Sequence, residues 1–247
     1  MAPPPLPHLV LLPGMACDRA SWAGQVAALS DIATCMVADH GLHRSMTAMA
    51  EAALEQAPPR FAVAGHSMGG RVALEMVRLA PERIERLCLI GTEHLPRPKG
   101  EAGERETAGR RSLLEIARND GMAAMACRWL PSLIAPDRRQ DMALIEAIIA
   151  MVARHSPDQL EAQITAGHRR PDHRSLLPGI ACPTLLIAGG ADVMRPAAIL
   201  EDMAGAIPGS RLCVIPGSGH MPMMEHPEIV SAAMRDWLRA EGTSLTA

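Results

Sequence analysis

Three groups in this chain have the types and the order needed to open an acyl bond. Ser67 sits in Gly65-His66-Ser67-Met68-Gly69, Asp192 follows Gly190-Ala191, and His220 follows Gly219. A serine hydroxyl is a weak nucleophile until a histidine takes its proton. That histidine in turn needs a carboxylate to hold its tautomer and stabilise the imidazolium. The pentapeptide alone has two other readings, a turn that only packs a helix onto a sheet and a phosphate cradle. The cradle fails, because neither G-x-x-x-x-G-K-[ST] nor G-x-G-x-x-G occurs and no lysine follows Gly70.

The nucleophile reading requires a strand, a sharp turn and a helix, and the local pattern supplies them. Phe61 to Ala64 is short, apolar and bounded by Pro58-Pro59, which predicts a buried strand. Behind Gly70, Leu74, Met76 and Val77 recur at helical spacing, Glu75 and Arg78 are placed on the solvent face, and Pro81 ends the segment. Glycines two before and two after the serine leave room for neighbouring chain.

Asp192 lies on the loop leaving a predicted strand at Thr184 to Ala188, and His220 on the loop leaving one at Arg211 to Ile215. In a parallel sheet all strand C-termini point the same way, so both loops emerge on the edge that carries Ser67. The order Ser, Asp, His is the one associated with this elbow. Glu201 and Asp202 fall inside a predicted helix, whereas Glu93, just past the fourth strand, remains a competing acid. His226 precedes Pro227 and reads as a capping neighbour, and His66 as packing beneath the elbow.

Along the whole chain, strand and helix patterns alternate, the mark of a parallel sheet covered on both faces. Strands are predicted at His8 to Leu12, Ile32 to Ala38, Phe61 to Ala64, Arg86 to Ile90, Thr184 to Ala188 and Arg211 to Ile215. Helices are predicted at Arg19 to Leu29 (capped by Asp18), Met46 to Ala57 (capped by Ser45), Ala197 to Ala206 and Glu228 to Arg239. From His94 to Leu177 no strand pattern occurs, only charged, helix-periodic segments broken by Gly121, Pro131, Pro136 and Pro157. This predicts a helical cap over residues 94–177 inserted into a core of 1–93 and 178–247. Within it Met142, Ile145, Ile149 and Val152 mark one apolar face, and Met122, Met125, Trp129, Leu133 and Met151 are candidate pocket residues. Arg169, Arg170 and Arg174 with Asp172 read as a solvated hinge, with a clamp for a substrate carboxylate as the alternative.

Composition narrows the classes. With 48% hydrophobic and 21% charged residues and a formal net charge of -3, the 247-residue chain is no disordered segment and has no electrostatic footprint for nucleic acid. The longest apolar stretches are strand-length and the N-terminus has no signal-peptide pattern, so a cytoplasmic protein without membrane association is expected, as monomer or homodimer. The six cysteines read as small buried hydrophobes. Ten histidines show no metal-ligand spacing, so neither metal nor cofactor is expected. Without tyrosine and with one Phe, the chain lacks stacking platforms for bases or sugars.

Taken together, these motifs make the chain resemble the α/β-hydrolase fold family, in its small, cap-bearing serine esterase type. The nucleophile motif corresponds to Gly65 to Gly69, the acid loop to Gly190-Ala191-Asp192 with Pro196, and the histidine motif to Gly219-His220-Met221-Pro222 with Glu225 and Pro227. The resemblance implies a mostly parallel central sheet with helices on both faces, lacking the fold's first two strands. It implies an oxyanion hole from the N–H groups of Met68 and Met15, although Pro13 stands where relatives commonly carry histidine. The implied activity is cleavage of a small or medium, fairly apolar carboxylic ester by Ser67, His220 and Asp192. The same triad serves carbon–carbon bond hydrolases, lactonases and acyltransferases, and a small-molecule receptor with a vestigial triad is the non-enzymatic alternative.

Overall fold

The computed structural model describes residues 6–240. Six strands form one sheet in the order β2-β1-β3-β4-β5-β6, with every neighbouring pair parallel. They are β1 His8–Leu12, β2 Thr34–Val37, β3 Phe61–His66, β4 Ile84–Ile90, β5 Thr184–Gly189 and β6 Arg211–Ile215. Before β5 come α1 Ala23–Leu29, α2 Met46–Gln56, α3 Met68–Leu79, α4 Gly100–Asn119, α5 Met122–Trp129, α6 Met142–Ala153 and α7 Pro157–His168. After it come α8 Ala197–Ala206, α9 Pro222–Glu225 and α10 Pro227–Arg239.

Burial tracks strand position. Every residue of β3 and β5 is buried, as expected of strands covered on both faces, whereas edge strands β2 and β6 are partly exposed. The weak pattern of the edge explains why β2 is shorter than the predicted Ile32 to Ala38. The Ser45 hydroxyl accepts from Ala48 N–H and Asp18 from Ala20 N–H, as the capping pattern predicts. Residues 19–22, however, form a 3-10 turn before α1.

Between β4 and β5 only helices occur among the described residues, and the ends of this segment meet where His173 N–H donates to the His94 carbonyl at 2.9 Å. No helix there or elsewhere among the described residues is long and apolar enough to cross a membrane.

Several sequence expectations are corrected. The inward face of α6 is Leu144, Ile148, Met151 and Val152, while Met142 is exposed. The helix is apolar almost all round, so spacing could not select its face. Only Cys17 and Cys88 are buried; Cys35, Cys182 and Cys213 are half-buried, Cys127 is exposed, and all six cysteines are free.

Glu75, expected in solvent, is fully buried. Its carboxylate accepts from His173 Nε2 at 2.7 Å, Thr47 Oγ1 at 2.7 Å and Arg78 Nη2 at 2.8 Å, joining α2, α3 and the chain returning from the helical segment. Burial pushes this carboxyl up, but the bonds from His173, Arg78 and Thr47 outweigh it and hold the group far below the ordinary carboxylate range. A depressed folded pKa means stabilisation that is complete above the unfolded value of ~4.3 and is lost as pH falls below it. Glu75→Gln is therefore expected to cost about 3 kcal/mol at pH 7, with the gap from wild type narrowing below about pH 4. Urea melts at pH 7 and pH 3.5 check this, and a gap that widens in acid would refute it.

Candidate active site

The turn between β3 and α3 places Ser67 at φ 53° and ψ -112°, a left-handed conformation that the surroundings must hold. They do so through backbone: Ser67 N–H donates to the Ile90 carbonyl at 2.9 Å, and Thr92 Oγ1 donates to the Ser67 carbonyl at 2.7 Å. The flanking glycines permit close approach. A Cβ on Gly69 would lie 2.1 Å from the Leu12 carbonyl oxygen, and one on Gly65 would lie 2.3 Å from that of Gly69. α3 can therefore sit directly on β1 and β3, with its N-terminus under the serine.

The C-terminal ends of β5 and β6 bring the other two groups to this point. His220 Nδ1 donates to Asp192 Oδ2 at 2.7 Å, which leaves Nε2 to accept from Ser67 Oγ at 2.9 Å. Asp192 is held in turn, because its Oδ1 accepts from the N–H groups of Met194 at 2.8 Å and Arg195 at 2.9 Å. Burial pushes the Asp192 carboxyl up, but His220 and these backbone donors outweigh it and keep the group below the usual carboxylate range. Within this hydrogen-bonded chain the serine can lose its proton to an imidazole whose tautomer is fixed.

The competing residues lie elsewhere. Glu93 is surrounded by Arg71, Arg170 and Arg195 and makes no contact with His220. His66 packs beneath the elbow as expected, donating from Nε2 to the His220 carbonyl at 2.7 Å. Burial first and His220 second push its pKa down to about 3, so it stays neutral.

Met15 and Met68 both border the cavity at Ser67. Met68 opens α3, so its N–H has no intrahelical acceptor. Met15 N–H has no acceptor among the described residues. The loop carrying Met15 is pinned from two sides. Its next residue, Ala16 at φ 52°, donates its N–H to Gln163 Oε1 on α7 at 2.7 Å. His40 Nε2 donates to the Pro13 carbonyl at 2.9 Å, so a distant histidine braces the loop where Pro13 replaces the familiar one.

The sequence marks Glu225 only as part of a motif. It is buried, and its carboxylate accepts from the N–H groups of Ala135 at 2.8 Å, Gly219 at 3.1 Å and Met221 at 3.2 Å, clamping the His220 loop to the chain after α5. His220 N–H also donates to the Leu133 carbonyl at 3.0 Å. Glu225→Ala would leave three buried donors unpaired and is expected to cost about 2–4 kcal/mol. A thermal melt with a near wild-type midpoint would contradict that role.

The lining of the cavity is the largest departure from expectation. Beside Ser67, Met15 and Met68 it carries Arg71, Arg110, Arg170, Arg195, Glu106 and Gln163. Met122, Met125, Leu133 and Met151 are buried in the apolar core instead, and Trp129 borders an outer groove. Arg170, read as part of a solvated hinge, is buried and donates to Glu106 at 2.5 and 2.9 Å, while Arg174 and Asp172 pair on the surface. Arg71, a charged residue one helical turn after Ser67, is the available signal.

A family model described as the alpha/beta hydrolase family matches residues 9–233. A pimeloyl-[acyl-carrier protein] methyl ester esterase from Nitrosomonas europaea is 28% identical, covering 90% of this chain and 92% of the relative. The Aromatoleum aromaticum protein of the same name is also 28% identical, covering 94% and 98%. Among solved structures, a thermophilic esterase from Thermogutta terrifontis with malate bound superposes at a TM-score of 0.83 with 30% identity, covering 94% of this chain and 89% of that one. An enol-lactonase from Burkholderia xenovorans, at 23% identity and a TM-score of 0.82, shares the fold.

Proposed function

The chain belongs to the alpha/beta hydrolase family, and from that premise we propose that it hydrolyses carboxylic esters through an acyl-enzyme on Ser67. The observation that carries the reading is the continuous chain Asp192–His220–Ser67, with contacts of 2.7 and 2.9 Å. Ser67 Oγ attacks the ester carbonyl as His220 Nε2 takes its proton. Asp192 steadies the imidazolium, and the Met15 and Met68 N–H groups receive the oxyanion. His220 then returns the proton to the departing alcohol. In the second half a water molecule gives its proton to His220, attacks the acyl carbon and releases the acid, and Ser67 recovers its hydrogen.

Residues 94–177 act in this reading as a cap over the strand ends, and α7 contributes Gln163 and Arg170 to the cavity wall. The methyl ester esterases among the relatives make methanol a fitting leaving group. A panel of methyl and p-nitrophenyl esters of increasing acyl length, run beside a vinylogous diketone, tests the proposal. Turnover of esters alone is expected. Cleavage of the diketone with no ester turnover would replace ester hydrolysis by carbon–carbon hydrolysis.

A further inference from the structure

Four guanidinium groups border the small cavity at Ser67, and only two carboxylates lie among them. Glu93 contacts Arg71, Arg170 and Arg195, and Glu106 binds Arg170. Arg170 is fully engaged, because it also donates to the Leu95 and Gly167 carbonyls. The others are not. Arg71 and Arg195 each keep a buried Nε without an acceptor, and Arg71 is only 6% exposed. Arg110 has no carboxylate within 4 Å among the described residues, and its guanidinium lies 5.4 Å from the centre of the Trp129 ring.

Arg71 is buried and Arg110 and Arg195 are partly so, and such an excess of positive charge is costly unless something completes it. Burial first, and then the Arg195 charge, push the Arg71 guanidinium down to about 9. The same causes in the same order take Arg110 down to about 10. Among the described residues, no carboxylate beyond Glu93 and Glu106 balances the site. Planar, bidentate donors of this kind match a carboxylate better than any neutral group.

We propose that this cluster receives a carboxylate of the substrate itself, so that the preferred ester is the half-ester of a short dicarboxylic acid. Its ionised end is held by Arg71, Arg110 and Arg195 while its ester carbonyl lies at Ser67. The free space at Ser67 is about 30 Å³, room for about two water molecules, so the proposal takes a short acyl chain and requires the lining side chains to move apart to admit it. Across Glu106 and Arg110 the cavity adjoins an outer groove of about 340 Å³ that also holds Arg105 and Arg128. Arg110 lines both spaces, so an anion passing from the groove to the serine passes this side chain.

The inference rests on the esterase reading above, and the test separates the two. Monomethyl and dimethyl glutarate share one carbon skeleton and differ in the charge at one end. At pH 7 the wild-type enzyme is expected to favour the monoester in kcat/KM by roughly 10- to 100-fold, the worth of one or two charge-assisted hydrogen bonds. Arg110→Gln should lower kcat/KM on the monoester about tenfold more than on the diester, chiefly through KM, and Arg110→Lys should recover part of the loss. Equal rates on the two esters, or preference for the neutral one, would overturn the proposal.

Calorimetry with Ser67→Ala protein covers an enzyme that hydrolyses no ester. Glutarate binding that weakens in a Ser67→Ala, Arg110→Gln double variant supports the carboxylate site even if the esterase reading falls. Absence of glutarate binding overturns the site whatever the catalytic result.

Discussion

Ser67→Ala is expected to lower kcat on an activated ester by about 10⁶-fold while leaving the fold intact. The size of the effect follows from the proposed role of Oγ as the atom that forms the acyl bond, for which no neighbour can substitute in the same position. The fold should survive because what holds the turn is backbone: the Ile90 carbonyl accepts from Ser67 N–H, and the Ser67 carbonyl accepts from Thr92. Alanine meets the same strain at φ 53° as serine does. Steady-state rates on p-nitrophenyl acetate with a melting curve of the same protein decide it. A variant that melts normally and keeps more than a hundredth of the activity would remove Ser67 from the chemistry.

Asp192→Asn is expected to lower kcat by about 10⁴-fold at neutral pH. The substitution is nearly isosteric, and the Asn oxygen can still accept from the N–H groups of Met194 and Arg195. Its amide nitrogen, however, then faces His220 Nδ1 as a donor. The imidazole must turn to its other tautomer, in which Nε2 carries the proton and cannot take one from Ser67. Were Glu93 the working acid, Asp192→Asn would leave kcat near the wild-type value. Its enclosure by three guanidinium groups argues against that.

The scaffold was legible because buried parallel strands write themselves as continuous apolar runs. β1 falls where the pattern predicts it, and so do α8 and the half-exposed edge strand β6. Ser67, Asp192 and His220 were legible for a related reason. Strand C-termini in a parallel sheet share one edge, so order along the chain becomes proximity in space, and the three side chains do meet. The charged residues that turn inward were hidden. Glu75 and Arg170 look solvated on any helical or compositional reading. What buries them is a partner remote in sequence: His173 for Glu75, 98 residues away, and Glu106 for Arg170, 64 residues away. The cavity wall is hidden for the same reason: the sequence points to Met122, Met125, Trp129, Leu133 and Met151, whereas Arg71, Arg110 and Arg195 line the space. Glu225 differs, because its position was marked by a motif but its three backbone donors come from loops that no local pattern links.

The most direct test of a covalent mechanism is to trap the nucleophile. Incubation with an aryl phosphonate, followed by intact-mass measurement and peptide mapping, should show a single adduct on Ser67, formed in parallel with loss of esterase activity and absent from His220→Ala protein. Esterase activity that persists without any adduct on Ser67, or an adduct on another residue that tracks the loss of activity, would contradict the assignment of Ser67 as the nucleophile.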